Sequence, residues 1–482
     1  MSITSDQDPP RSAAVPDTPP APAPARSRTG VWALVLRLHF YAGVFVAPFL
    51  VLAALTGLAY AFTPQLDQLV YGQELRVEQV TGQPRPLAEQ IRAARTAHPE
   101  GSIATVVLPA GPERTTAVVL SVPELGEKQR TVYVDPYTAQ VRGELTTWFG
   151  STPLTTWLDE MHRGLHLGAT GRLYSEMAAS WLWVIVGGGL LLWLGRRRRY
   201  LGKASSWRVL WPRRGEKGVR RTRARHAALG LWLATGLLFL STTGLTWSDH
   251  AGKRFDSLQQ NLNSSAPALN TALPGNPASA AGGHGGHGAA GGAEHGDPAG
   301  EADRVLATAR SAGLSGPVEL APPKDAHSTW SVTQADNRWP VHKDQVAVDP
   351  ATGQVTARVD WADHPPLAKL SSLGIQAHMG LLFGLPNQLL LAAIACGLLT
   401  AVFLGYRMWW QRRPTRADRR APFGRPPARG AWRSVPLPLL LVGAPVVLLV
   451  AWALPVLGFS LLAFLVIDLA LGALRRRRTT PA

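Results

Sequence analysis

Four stretches of this chain, at roughly 40–62, 177–195, 227–247 and 387–406, stay apolar for the length a helix needs to cross a bilayer, about 20 residues. Such a stretch must satisfy its backbone internally, so each is read as a transmembrane helix. A fifth run, 436–474, is too long for one span, and its Ala453-Leu454-Pro455 break predicts a tight hairpin of two. The total is six spans. Composition agrees, with 46% hydrophobic and only 17% charged residues. The formal net charge of +17 is concentrated in blocks beside the apolar runs: Arg196–Arg199, Arg220–Arg225, 407–420 and Arg475–Arg478. Blocks that flank spans follow the positive-inside rule, and nucleic-acid binding is not expected. Loop 196–225 holds thirteen basic residues against one acid, Glu216, and loop 407–433 holds nine against Asp418. Both loops, and the tail 475–482, are therefore placed in the cytoplasm. The Pro- and Ala-rich tail 1–30 is expected to be disordered, also in the cytoplasm, and no cleaved signal peptide is read in it. Cys396 is the lone cysteine, so no intrachain disulfide and no cysteine-based metal motif exists.

The chain repeats itself. LHFYAGVFVAPFLVLAALTGLAY (38–60) matches RHAALGLWLATGLLFLSTTGLTW (225–247), and in each copy eighteen residues separate the histidine, His39 or His226, from the glycine of a Thr-Gly-Leu, Gly57 or Gly244. TVYVDPYTAQV (131–141) matches QVAVDPATGQV (345–355); both read as strand, Asp-Pro turn, strand. A frame His-x-Gly-Leu-x-apolar-Gly then appears twice, as HRGLHLG from His162 and HMGLLFG from His378, each just before a span. Each half is thus span, outside segment, histidine frame, span, in the same orientation. An axis along the membrane normal is expected to relate the halves.

The VDPxTGxV strand pair, the HxGLxxG frame and a span ending in RMWWQRRP together resemble the PepSY-associated transmembrane family over roughly 31–410. That family includes iron-regulated membrane proteins of bacterial iron uptake and ferric-siderophore reductases. The resemblance implies an inner-membrane protein with PepSY domains in the periplasm and, for reductase members, b-type haem held by transmembrane histidines. The expected fold is an α-helical polytopic membrane protein: a four-helix core from two parallel repeats, a C-terminal hairpin, and two α+β PepSY-like periplasmic domains. The expected division is a tail (1–30), TM1 (31–63), periplasmic domain 1 (64–160), histidine frame and TM2 (161–195), basic loop (196–225) and TM3 (226–247). Periplasmic domain 2 (248–370) with a Gly/His-rich linker at 282–296 follows, then frame and TM4 (371–406), basic loop (407–433), hairpin (434–474) and tail (475–482).

His39 and His226 begin the first and third spans; His162 and His378 precede the second and fourth. One such histidine alone is more simply an interfacial residue that meets headgroups or caps a helix. Four at matched positions favour ligation, because ionisable groups near spans tend to face the bundle interior and two neutral imidazoles fill both axial positions of a haem iron. Symmetry pairs His39 with His226 near the cytoplasmic rim and His162 with His378 near the outer rim, for two haems b. Gly43, Gly164, Gly168, Gly230, Gly380 and Gly384 lie close by, and either admit a flat macrocycle or serve tight helix packing. His166, one turn from His162, is a weaker candidate because its repeat counterpart is Leu382. His284, His287 and His295, in GGHGGHGAAGGAEHG, are weaker metal candidates in what is more simply a flexible linker. His250, with Asp249, is more simply part of a helix-end polar cluster. No Gly-x-Ser-x-Gly, His-Glu-x-x-His or Walker loop occurs, and no Gly-x-Gly-x-x-Gly follows a strand. Electrons must then come from membrane quinol or a cytoplasmic reductase, and the expected acceptor is a ferric siderophore or other metal complex in the periplasm. The alternatives are a non-enzymatic docking module and a metal transporter; the four spans hold no interior Asp or Glu to line a metal path.

Overall fold

The computed structural model describes residues 30–200, 211, 215–273, 297–411 and 437–479. The tail 1–29, the linker 282–296 with His284, His287 and His295, and most of the loop 407–433 lie outside the described residues.

Helices α1 (Gly30–Phe45) and α2 (Ala47–Ala61) form one apolar course bent by 55° at Val46. The cause is local. Pro48 has no N–H to give the carbonyl four residues back, and the Tyr406 hydroxyl donates to that freed Val44 oxygen at 2.9 Å. Next come α3 (Thr63–Val70), α4 (Gly72–Leu75) and α5 (Leu87–Ala97), then strands β1 (Ser102–Val107), β2 (Thr116–Ser121), β3 (Gln129–Val134) and β4 (Val141–Thr147). Helix α6 (Pro153–Gly164) leads into the long α7 (Gly168–Tyr200). The second half runs α8 (Gly218–Leu245), α9 (Ala251–Asn261), α10 (Pro298–Ser311), β5 (Val318–Ala321), β6 (Trp330–Gln334), β7 (Gln345–Val348), β8 (Val355–Val359), α11 (Pro366–His378) and α12 (Leu385–Gln411). Helices α13 (Leu437–Ala453) and α14 (Pro455–Thr479) follow.

By length and composition, spans lie in α7, α8, α12 and α14, and the bent α1–α2 pair makes a fifth when counted as one. The chain is a multi-pass membrane protein. Helix α13, expected as the sixth span, has 17 residues; at helical rise that is about 26 Å, short of an about 30 Å hydrocarbon core. The chain does break at Leu454, as the Ala-Leu-Pro sequence predicts.

Helix α7 packs on α1 and α8, α8 on α12, and α12 back on α2, closing a ring of helices. Phe49, Leu50, Trp181, Leu233 and Leu237 fill it. Small residues set the approach: a Cβ on Gly397 would stand 2.7 Å from the Leu233 side chain. Helix α14 docks outside the ring. There Trp181 Nε1 donates to Ser460 Oγ at 2.8 Å, Phe464 meets the rings of Tyr41 and Trp181, and Arg37 pairs with Asp468.

The two outer segments, expected as separate domains at 64–160 and 248–370, share one antiparallel sheet. Its order is β4-β3-β2-β1-β5-β6-β7-β8. The seam is short, with Val106 opposite Leu320 and Val107 opposite Glu319. Inward residues of both halves, among them Val106, Val118, Val132, Leu320, Trp330 and Val346, enter one core with Ile91 of α5 and Val305 of α10. One hydrophobic core makes one domain.

Both Asp-Pro turns form as expected. Asp135 accepts from Tyr137 N at 2.8 Å, and Asp349 from Ala351 N at 2.8 Å. The fifth residue of each turn is left-handed: Gly353 at φ 69° and Ala139 at φ 57°. A Cβ costs about 1–2 kcal/mol there, against about 0.5–1 kcal/mol for the extra freedom glycine loses on folding. Ala139→Gly is therefore expected to stabilise by about 0.5–1 kcal/mol, read as a higher thermal midpoint of the detergent-solubilised protein.

Candidate functional site

The four repeat histidines come together as two pairs. His39, on α1, donates from Nδ1 to the Ile185 carbonyl of α7 at 2.8 Å; His226, on α8, donates to the Ala401 carbonyl of α12 at 2.9 Å. Their ring centroids are 6.3 Å apart, with planes at 72°. At the sheet side of the bundle, His162 ends α6 and His378 ends α11. Their centroids are also 6.3 Å apart, with planes at 73°. On the unbroken helix α8, Gly244 stands eighteen positions after His226 and lies against His378, so the pairs stand about 27 Å apart along that helix.

The Thr-Gly-Leu motif has a role that the sequence did not disclose. Thr56 Oγ1 donates its proton to Leu52 O at 2.8 Å, and Thr243 Oγ1 to Phe239 O at 2.9 Å, the i−4 bonds open to a helical threonine. Each hydroxyl oxygen then accepts from a histidine Nδ1, His162 at 3.0 Å and His378 at 2.6 Å. His39 and His226, whose partners are carbonyls, carry the proton on Nδ1 and leave the Nε2 lone pair as a ligand; the same tautomer at His162 and His378 lets Thr56 and Thr243 keep their helix bonds. The following glycines make room. A Cβ on Gly57 would stand 3.0 Å from His162 Cε1, and one on Gly244 would stand 3.6 Å from His378 Cε1. Gly189 and Gly405 do the same for His39 (3.3 Å) and His226 (3.7 Å).

Of the glycines singled out earlier, Gly43 and Gly230, one turn from His39 and His226, face open space that a side chain would enter. Gly168 and Gly384 have φ of 57° and 60°, which explains the last glycine of each histidine frame. The sheet-side pair borders a cavity of about 250 Å³ lined by Gly57, Gly244, Leu391 and Ile394, with Arg163 and Arg172 also on its wall.

Two metal–imidazole bonds of about 2 Å plus two ring radii of about 1.1 Å give centroids about 6 Å apart, so each pair fits the two axial ligands of one metal. Among the described residues no group of three or more His, Cys, Asp or Glu is placed to hold a metal ion. Two imidazoles leave a bare ion under-coordinated. A macrocycle that brings its own four donors needs only those two.

Among the described residues, two other histidines near these couples are held elsewhere. His166 spends both nitrogens, Nδ1 on Glu160 at 2.8 Å and Nε2 on the Trp157 carbonyl at 3.1 Å, so i,i+4 spacing does not make it a partner of His162. His250 belongs to a helix-end cluster, where buried Glu176 accepts from the backbone N–H groups of His250 and Ala251 at 3.1 and 2.8 Å and so caps α9.

The model of the PepSY-associated TM region matches residues 36–412, most of the chain and all four histidines. The protein belongs to that family. No curated protein matches the chain. In this PepSY-associated membrane protein the matched region ends where α12 ends, so α13 and α14 are additions to the family's core.

Proposed function

We propose that this protein is a di-haem oxidoreductase of the bacterial inner membrane that passes electrons outward to a ferric complex, of siderophore type, in iron uptake. The observation that carries it is the matched pairing: two histidine couples at one separation, every Nδ1 hydrogen-bonded to a neighbouring helix. His39 and His226 would hold one haem b, His162 and His378 the other. Arg163 and Arg172 line the sheet-side cavity, each paired with a carboxylate, Asp159 at 3.0 Å and Asp249 at 3.6 Å. Haem, when bound, supplies the one-electron chemistry. The chain's own part is to fix the imidazoles through Thr56, Thr243, Ile185 and Ala401, to keep water out with the apolar ring of helices, and to place the two couples near opposite faces of the bilayer.

Under this proposal the halves are related by an axis along the membrane normal, and all spans count as six with the α13–α14 hairpin. The basic ends of α7, α8, α12 and α14 face the cytoplasm. Each ferric ion takes one electron and becomes ferrous; a membrane quinol supplies two such electrons, reducing two ferric ions and leaving as quinone with release of two protons, whereas a cytoplasmic reductase supplies them singly. The ferrous ion is less charged and matches hard oxygen donors less well, so its chelator releases it. The deciding measurement is the visible spectrum of protein expressed with ample haem, oxidised and dithionite-reduced. A Soret band with reduced α-bands at about two haems per chain is expected; a colourless protein leaves only a docking module.

A further inference from the structure

The face of the sheet opposite the α5–α10 core lines one cavity, with Asp67 of α3 on its wall, and the start of α12 with the β6–β7 loop lines another; the two share Pro64 of α3. The larger, about 760 Å³, is floored by the loop Gly380–Gly384 that directly follows His378, and Trp339 and Arg338 of the β6–β7 loop line it too. Trp339 N donates to the Leu382 carbonyl at 2.8 Å, fastening that loop to the histidine frame. The smaller, about 290 Å³, is lined by Arg114. Arg76 lies beside Arg114, with which it forms an antiparallel bridge, and its guanidinium donates to Gln68 at 2.9 Å, outside the lining of both cavities.

None of these three arginines has a carboxylate within ion-pair distance among the described residues. The nearby Asp67 carboxylate is held instead by the hydroxyls of Thr152 and Thr155 at 2.8 and 2.9 Å. Burial, then the charges of Arg76 and Arg338, pushes Arg114 below its ordinary value, with Glu113 acting weakly the other way. Gathering like charges around a hollow is unfavourable until an anion enters it. Trp339 and Phe383, rings 6.5 Å apart and more than half exposed, add an apolar wall.

We propose that the larger cavity is the docking site for an anionic, oxygen-donor ferric chelate, and that Arg338 on its wall, with Arg114 in the adjoining cavity and Arg76 behind it, selects such a chelate over neutral ones. Its volume lies in the range of small-molecule sites. Its floor is one loop from the sheet-side histidine couple, so a chelate held there is next to the outer electron exit. The inference rests on the reductase proposal for its meaning, and the two fail separately.

The test uses the full chain in nanodiscs of phosphatidylcholine, titrated calorimetrically with ferric citrate as the anionic probe and neutral ferric tris-acetohydroxamate as the control. Ferric citrate is expected to bind, the neutral chelate to bind at least about tenfold more weakly, and Arg114→Gln with Arg338→Gln to cost about tenfold each for citrate alone. Equal binding of both probes, or citrate binding that ignores both substitutions, overturns the proposal. A repeat in discs containing phosphatidylglycerol separates the sources of the anion: unchanged citrate binding supports a chelate site, and binding abolished by the anionic lipid makes it a headgroup site and overturns the proposal. The haem spectrum of the same samples is read alongside. Citrate binding without haem sinks the reductase proposal alone; haem without citrate binding sinks this one alone.

Discussion

Replacing His162 or His378 by alanine is expected to lower the haem content from about two to about one per chain and to leave the His39–His226 haem spectrally intact. The converse holds for His39→Ala or His226→Ala. The expectation follows from separation: the couples stand about 27 Å apart along α8, and each is held by its own hydrogen-bond partners. Methionine gives a finer readout than alanine, since a Met/His axial set raises the midpoint potential. His162→Met is expected to keep the outer haem at a more positive potential in a redox titration. Identical spectra in wild type and all four alanine variants would remove the ligand assignment, whatever the protein then turns out to reduce.

The second large effect concerns stability. Arg37 and Asp468 form an ion pair between α1 and α14, with side chains 4% and 16% exposed. An interior this dry makes the pair costly to build and costlier to halve, because Arg37, which also lies over the Tyr41 ring, then loses its counter-charge while still buried. Asp468→Ala is expected to cost about 3–5 kcal/mol, seen as a fall in thermal midpoint and as faster proteolysis at the α13–α14 hairpin. Asp468→Ala combined with Arg37→Met, which removes both charges, is expected to recover most of that loss. A double variant as unstable as the single one would show that the hairpin is held by other contacts, such as those of Ser460 and Phe464.

Much of this architecture was legible in the sequence because its signals are local and come twice. Apolar runs gave the spans of α7, α8 and α12, the Asp-Pro pairs gave the strand turns, and the His-x-Gly-Leu frames gave the sheet-side couple. What escaped was decided by contacts between distant segments. The β1–β5 seam is a short register across some 200 residues of intervening chain, and nothing local to either strand announces it, so one sheet was expected as two domains. Thr56 and Thr243 looked like landmarks of a repeat, since a threonine in an apolar helix ordinarily bonds its own turn. Only the neighbouring helix ends supply the imidazoles that use its remaining lone pair. His166 matched its candidate spacing but is claimed by Glu160 and by a backbone carbonyl. Pro48 lay in plain view inside an apolar run, and the bend it causes depends on Tyr406 taking up the orphaned carbonyl.

The β1–β5 seam also decides what half of this polypeptide is able to do alone. A fragment ending after α7 keeps β1 with one flank bare, and a bare strand flank recruits another of suitable register. An identical fragment offers that flank in the same antiparallel sense. Such a product is expected to self-associate as a twofold dimer in which each subunit lends one His39 and one His162. The full chain then amounts to that dimer written on a single thread, free to let its two subunits diverge.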